Sequence, residues 1–351
     1  MLWTRFAVAL SGALVLAMPT FAQSNDGHFK AKEVRLLVGY AAGGGYDVYA
    51  RMAAAHLGKY LEGKPAVIVQ NMPGADGLLV ANHVFARVPK DGSVIALTNR
   101  NIAVAPILGL VEPQNVQYKP EEFYWLANLN AEVSVIVVRS DLKITSLEET
   151  KTRPTVVGAT GLTSNNAIYP YVTNNLMQTK FKVVSGYPGT SHLVLAMERG
   201  EIEGIGGWAW SSIQVQKPDW IAEKFITPLL QLSLVKHPDL LSVPLIGDYA
   251  RNENEKNALE LIFAPEASGR PFFAPPGIEP NAGRALRSAF AALVDDPDFK
   301  RAADKAKLDV AFTDGQALQS LVERLTSATP AAVTLAKELT QRGNTIVEDK
   351  K

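Results

Sequence analysis

Apolar and polar positions along the chain follow a repeating cycle: a short apolar run, a turn rich in glycine or asparagine, then apolar residues at helical spacing. Val34 to Tyr40 is the first such run and predicts a strand. Behind it Tyr49, Met52, Ala53, His56 and Tyr60 recur at i, i+3, i+4, i+7 and i+11, which is one face of a helix. Ala66 to Val69 predicts a second strand, Leu78 to Arg87 a helix after Asn71-Met72-Pro73-Gly74, and Val94 to Thr98 a third strand after Lys90-Asp91-Gly92. Strand and helix alternating in this way imply a parallel sheet covered by helices, with ligands at the carboxyl ends of its strands. Those ends are Tyr40 to Gly45, Gln70 to Gly74 and Thr98 to Asn101.

The cycle then repeats. Val133 to Val138, Thr155 to Ala159, Phe181 to Val184 and Ile202 to Gly206 predict strands, and Thr190 to Arg199 a helix stopped by Gly200. Ser146 with Glu149 has the spacing of a capping box. Ile226 to Leu234 is expected to carry the chain back to the first unit, completed by helices over Pro280 to Val294, Asp298 to Lys307, Gln316 to Ala328 and Ala331 to Gln341. The fold class is therefore α/β with two lobes, one inserted in the other. Lobe 1 is expected over 31–125 and 235–345 and lobe 2 over 126–234, each a mainly parallel sheet flanked by helices, with a cleft between them. A chain of 351 residues is long enough for two cores.

The first residues change where this protein is expected to work. Arg5 is followed by an uncharged stretch from Phe6 to Met18 and then Pro19-Thr20-Phe21-Ala22, the order of a secretory signal, with removal expected after Ala22. That stretch is shorter than the roughly 20 residues that cross a bilayer. The mature chain is expected in the periplasm, with no direct membrane insertion. Lys plus Arg equals Asp plus Glu at 35 each, so there is no basic excess to bind nucleic acid. Cysteine is absent, which removes disulfides, thiolate chemistry and a lipid-modified cysteine.

Candidate chemistry centres on Gly43-Gly44-Gly45. Glycines before a helix can turn amides toward an anion, and the helix dipole adds positive partial charge. Asp47 is placed either to cap the free amides or to face the ligand. Arg100, past the third strand, is a candidate fork for a second carboxylate, or a solvated loop cation. Trp208 is a candidate pocket wall or a packing residue, and Trp210 the same with less support for the wall. His56 and His192 lack partners at metal spacing, and Arg270 faces the cleft or ties a loop. A dinucleotide-binding enzyme needs an acidic residue after the second strand, where Gln70-Asn71 stands, and the glycines do not run G-x-G-x-x-G. No G-x-S-x-G, H-E-x-x-H or P-loop is present. The reading is a binding protein without cofactor or metal, not an enzyme; the alternatives are a periplasmic sensor subunit or a secreted α/β enzyme.

The stretch from Val34 to Leu97 resembles the opening lobe of the Bug/TctC family, the extracytoplasmic solute receptors of tripartite tricarboxylate transporters. The likeness rests on the glycine turn closed by Asp47, on Gln70-Asn71-Met72-Pro73-Gly74-Ala75, and on Pro89 with Asp91-Gly92. It continues through Gly186-Tyr187-Pro188-Gly189, Arg199-Gly200-Glu201-Ile202-Glu203 and Phe273-Ala274-Pro275-Pro276-Gly277. The resemblance implies a two-lobed periplasmic binding fold of type II that closes on a small organic carboxylate and docks with a large and a small membrane subunit. It implies a first-lobe turn from Tyr40 to Gly45 holding the carboxylate, opposed by a second-lobe turn from Ala159 to Asn166. The ligand-facing residues expected are Tyr40, Ala42, Gly43, Gly44, Gly45, Asp47, Asn71, Asn99, Arg100, Thr160, Gly161, Thr163, Ser164, Asn165 and Trp208. Two departures stand out: Thr163-Ser164-Asn165-Asn166 has no histidine where relatives commonly do, and Gly207-Trp208-Ala209-Trp210 lacks an acidic or amide residue.

Overall fold

The computed structural model describes residues 33–342 apart from Thr163 and Pro188. The signal sequence and its cleavage after Ala22 lie outside the described residues, as does the candidate Thr163.

The strands are β1 (Glu33–Val38), β2 (Ala66–Asn71), β3 (Val94–Leu97), β4 (Tyr124–Asn128), β5 (Ser134–Arg139), β6 (Thr155–Gly158), β7 (Phe181–Val184), β8 (Gly204–Ala209), β9 (Ile226–Leu232), β10 (Pro271–Ala274) and β11 (Thr313–Asp314). They form two sheets, ordered β11-β4-β10-β3-β1-β2 and β7-β6-β8-β5-β9. In the first, β1 runs parallel to β2 and β3, while β10 lies antiparallel between β3 and β4. In the second, β6 is parallel to β7 and β8, and β5 is antiparallel to β8 and β9. Each sheet thus joins the expected parallel run to an antiparallel margin.

Both sheets are covered on both faces, which is why their central strands read as continuous apolar runs. On one side of the first sheet Val34, Leu36 and Val38 pack with Tyr49, Leu286 and Phe290; on the other Leu37 and Ala96 pack with Val80, Val84 and Phe273. The second sheet divides alike, with Val135, Val137 and Ile205 against Leu193, Met197 and Trp208, and Ile136, Val138 and Val157 against Ile168, Val172 and Phe263.

Two stretches cross between the sheets, 129–133 from β4 to β5 and 264–270 on the return to β10. They bond to each other, with Glu132 N–H donating to Glu266 O at 2.8 Å and Gly269 N–H to Asn130 O at 2.8 Å. A Cβ on Gly269 would stand 2.6 Å from Asn130 Oδ1, so the approach requires glycine.

The return occurs later than the expected resumption of lobe 1 near 235. The helix Glu253–Phe263 puts Ala258, Leu259, Leu261 and Ile262 into the cluster that covers the second sheet. The last helix, Pro330–Thr340, also differs from expectation. Its Ala336 and Leu339 join that same cluster rather than the first sheet's. Helical spacing identifies such apolar faces without saying which of two sheets they cover.

Gly206 and Gly207 are explained by packing. The helix Asn165–Met177 carries Pro170, whose ring removes one backbone donor, and it lies so close to β8 that a Cβ on Gly206 would stand 2.2 Å from Pro170 Cγ. Asn166 Nδ2 donates to Gly206 O at 2.9 Å, fixing the helix on the strand. Gly206→Ala is therefore expected to destabilise the protein by about 1–3 kcal/mol, the usual range for overpacking, read as a lowered urea midpoint with an unchanged slope.

Candidate functional site

The helix Gly45–Leu57 starts directly behind β1, and its N-cap, Gly44, supplies no side-chain cap. Its first bond runs from Val48 N–H to Gly44 O at 3.0 Å, so the preceding amides are not used within the helix. Gly43 has φ of +85°, the left-handed region that favours glycine. Gly44 is extended, with φ of −83° and ψ of 169°, and nothing lies nearer to an added Cβ than Ala41 O at 3.8 Å. At Gly45 an added Cβ would stand 3.1 Å from Arg270 Nη2 and 3.4 Å from Ser212 Oγ. Ser212 belongs to the helix Trp210–Gln216 behind β8, so the glycine turn reaches the second lobe.

One of the three amides expected to face the ligand is taken. Gly43 N–H donates to Asp47 Oδ2 at 2.8 Å, and Asp47 also accepts from Arg51 Nε at 2.8 Å and Asn71 Nδ2 at 2.8 Å. Asn71 additionally donates to Tyr40 O at 2.9 Å. Asp47 and Asn71 therefore bind the turn to the end of β2 instead of presenting free polar atoms. Burial alone would raise the Asp47 carboxyl, but the hydrogen bonds from Arg51, Gly43 and Asn71 outweigh it and hold the group below its ordinary value.

Tyr40 stacks on Tyr46 with ring centroids 4.7 Å apart, and its hydroxyl donates to Asp76 Oδ1 at 2.9 Å. Asn99 donates to Asp76 Oδ2 at 2.7 Å and accepts the Asn101 amide at 2.9 Å. Burial pushes the Asp76 carboxyl up. Asp76, Asn99 and Asn101, with Leu78, Ile102 and Tyr118, line a small cavity. Ala42 lies exposed.

Arg100 is not the free fork expected. It is buried, and its Nε and Nη2 donate to Glu266 Oε1 at 2.9 and 2.6 Å, with Nη2 also on Ser134 Oγ at 3.0 Å. Burial works against its charge, and the Glu266 carboxylate outweighs that to keep its pKa above the ordinary value. Ser134 donates to Glu266 Oε2 at 3.0 Å, Asn165 Nδ2 approaches Oε1 at 3.4 Å, and Tyr169 O–H also donates to Oε1. Asn101 Nδ2 donates to Asn165 Oδ1. Arg100 and Asn165, expected on opposite walls of a cleft, thus meet at one carboxylate from the return segment.

On the second-lobe turn, Ser164 Oγ donates to Gly161 O at 2.7 Å and receives the Gly161 amide at 3.3 Å. Thr160 and Gly161 are partly exposed, and a Cβ on Gly161 would meet nothing within 4 Å. Trp208 lies elsewhere. It is 3% exposed and packs in the second lobe's core, edge-on to Trp220 at 6.0 Å, because the end of β8 turns it under the sheet. Trp210 is in the same cluster.

Sequence reasoning left Arg270 open and missed Glu132, Glu266, Tyr46 and Ser212. Arg270 opens onto β10 and is 2% exposed, with its guanidinium carbon 4.8 Å from the ring centres of both Tyr46 and Tyr49. Its Nη2 lies 3.4 Å from Glu132 Oε2, and Glu132 accepts from Ser211 Oγ at 2.8 Å. Acidic residues in unpatterned stretches carry no signal of this role. The only cue was that Arg270 directly precedes an apolar strand.

Two mixed sheets joined by two crossing segments define a two-lobed periplasmic binding protein fold. A TctC solute-binding protein from Polaromonas, solved without ligand, superposes with a TM-score of 0.63 at 23% identity, covering 88% of this chain and 97% of that one. MatC from Rhodopseudomonas palustris with bound malate superposes at 0.65 and 17% identity over 88% and 99%. A further R. palustris protein, with adipate, superposes at 0.64 and 19% identity over 87% and 97%. Within this class the chain's fold is that of the Bug/TctC proteins, and its relatives in sequence are UPF0065 proteins, the Bug family. It is 26% identical over 325 residues to one encoded in the TAR-I ttuE-ttuC' intergenic region of Agrobacterium vitis, 88% of each chain. It is 33% identical over 144 residues to another, in the gbd 5' region of Cupriavidus necator, a match that spans 41% of each chain. No family model matches the chain. Among the described residues no helix is long and apolar enough to cross a membrane.

Two outcomes follow from this geometry. Arg100→Leu leaves Glu266 buried without its cation and is expected to cost about 3–5 kcal/mol of folding stability in urea. Because the Asp47 carboxyl is held low, its stabilising effect is complete above the ordinary carboxylate value and is lost as pH falls through its own, lower value. Asp47→Asn is expected to lower stability at neutral pH by about 0.5–1.5 kcal/mol, the range for a lost intramolecular hydrogen bond, and to flatten the acid limb of a melting-temperature profile.

Proposed function

We propose that this protein is a periplasmic solute-binding protein that captures a small organic carboxylate between its lobes and delivers it to a tripartite tricarboxylate-type transporter with large and small membrane subunits. The observation that carries this reading is the uncapped N-terminus of the helix Gly45–Leu57, which lies at the lobe junction within reach of Ser212 from the other lobe. Free amides at a helix N-terminus favour an anion through both hydrogen bonds and dipole. Of the expected glycine seat, Gly44 and Gly45 remain for the ligand, with Tyr46 beside them; Gly43 shapes the turn. Thr160, Gly161, Ser164 and Asn165 are the residues proposed for the opposing turn. The malate and adipate carried by proteins of this fold are dicarboxylates, which supports the same ligand class here.

Closure then follows from preferential binding, since a solute shifts an open–closed balance only by its differential affinity for the two arrangements. Occupancy of the closed form is what the membrane subunits would read.

Differential scanning of the mature protein against malate, succinate, adipate, citrate and benzoate tests the ligand class. At least one acid is expected to raise the melting temperature by mass action, about 2.7 kcal/mol of added stability at 100 times Kd. Unchanged melting with every acid at millimolar concentration would overturn the carboxylate assignment. Gly44→Val sharpens the test, because Gly44 is extended and an added Cβ there meets nothing nearer than Ala41 O at 3.8 Å, so the backbone tolerates it. The variant is expected to fold with an unchanged circular dichroism spectrum and to lose the ligand-induced shift. Delivery is tested separately by co-purification with the large and small membrane subunits.

A further inference from the structure

We infer that Arg270 is the specificity-determining residue that restricts the lobe junction to ligands bearing an oxyanion and rejects their neutral amides. This rests on the carboxylate reading above and adds to it the side chain that reads the charge. A guanidinium carries five N–H donors and cannot give up its proton. Arg270 is 2% exposed, yet its polar contacts are few: Nη1 donates to Gly269 O at 2.7 Å, and Nη2 faces Glu132 Oε2 across 3.4 Å. Its Nε is buried without a partner among the described residues. Buried donors without acceptors are costly, and the deficit here stands beside a helix N-terminus that is itself uncapped.

The position is built. Tyr46 and Tyr49, three residues apart on one helix face, each hold a ring centre 4.8 Å from the guanidinium carbon, which fixes the plane of the group by cation–π contact. Gly45 admits the guanidinium edge, since a Cβ there would stand 3.1 Å from Nη2. Ser212 Oγ lies 3.4 Å from the same point and has no side-chain partner among the described residues. Guanidinium and hydroxyl donors from both lobes therefore converge at Gly45, with Glu132 Oε2 as an acceptor 3.4 Å from Nη2. Glu132 leaves the set incomplete, because its carboxylate is shared with Ser211 Oγ at 2.8 Å and the Ser211 amide at 3.4 Å, and Nε stays unpartnered among the described residues. The contrast is Arg100, whose Nε and Nη2 both end on Glu266. A carboxylate oxygen completes the Arg270 set; the NH2 of an amide would meet donors with donors.

The experiment pairs each acid with its amide: malate with malamide, adipate with adipamide, benzoate with benzamide. Melting shifts and calorimetric affinities are measured on the wild type, on the charge-balanced variant Arg270→Gln/Glu132→Gln, and on Arg270→Lys, with circular dichroism confirming that each folds. Wild type is expected to bind at least one acid 30-fold or more tighter than its amide, in line with loss of a buried charge-assisted contact. In the double variant that ratio is expected to fall to within about 3-fold, mainly through weaker acid binding. Arg270→Lys, which keeps the charge but loses the fork, is expected to retain the preference for the acid with reduced affinity; it serves as the deciding variant if the double variant does not fold, where undiminished acid affinity overturns the inference. A folded double variant that keeps the wild-type ratio overturns the role of Arg270 while leaving the carboxylate reading intact. A wild type that binds acid and amide equally does the same, and one that binds none of the acids overturns both.

Discussion

The two crossing segments depend on a pair of buried carboxylates that are each neutralised from the first lobe and each bonded to the second. Glu266 takes Arg100 on one side and Tyr169 with Asn165 on the other; Glu132 takes Arg270 on one side and Ser211 on the other. A carboxylate in such a place is tolerable only with a cation and hydrogen bonds around it. The position of Arg100 after β3, of Arg270 before β10, and of the helix Asn165–Met177 behind β6 are all fixed by that requirement. The backbone bonds between 129–133 and 264–270 hold the two carboxylates side by side.

The parallel half of each sheet was legible because buried parallel strands read as apolar runs and their helices repeat at 3.6 residues. Of the seven strands anticipated, six begin and end within two residues of those seen, and β7 matches at both ends. What escaped was the antiparallel margin of the first sheet. β4 is flanked by Phe123 and Leu129 without turn signals at either end, and β10 is only four residues long, so neither stands out by periodicity. The helix Glu253–Phe263 was hidden by its polar start, Asn252 to Asn257, where charges mask the apolar face that follows.

At the site the sequence located the turn and misjudged its side chains. That glycines precede a helix N-terminus was readable from order alone. Which of the three needs its positive φ, and that Asp47 would consume the Gly43 amide, depended on the path of the turn. Arg100 looked free because its partner, Glu266, lies far along the chain, and Arg270 looked ordinary for the same reason. Trp208 looked like a pocket wall since alternation says which side of a strand a residue takes, not which side is open. The stretch Gly207-Trp208-Ala209-Trp210 looked like a departure in ligand chemistry, whereas Gly207 is accounted for by close helix–strand contact, an added Cβ standing 2.5 Å from Asn165 O.

The seating of the helix Pro330–Thr340 on the second sheet's cluster has a mechanical consequence. The helix before it, Gly315–Thr326, packs Leu318 and Val322 on the first sheet's cluster, so the chain passes between lobes a third time at Ser327–Ala328–Thr329. Two tethers permit a broad swing about one axis, like a door; a third connection narrows the rotations open to the lobes. Truncation within the last helix would therefore strip a wall from the second lobe and loosen that axis together, instead of trimming a dispensable tail.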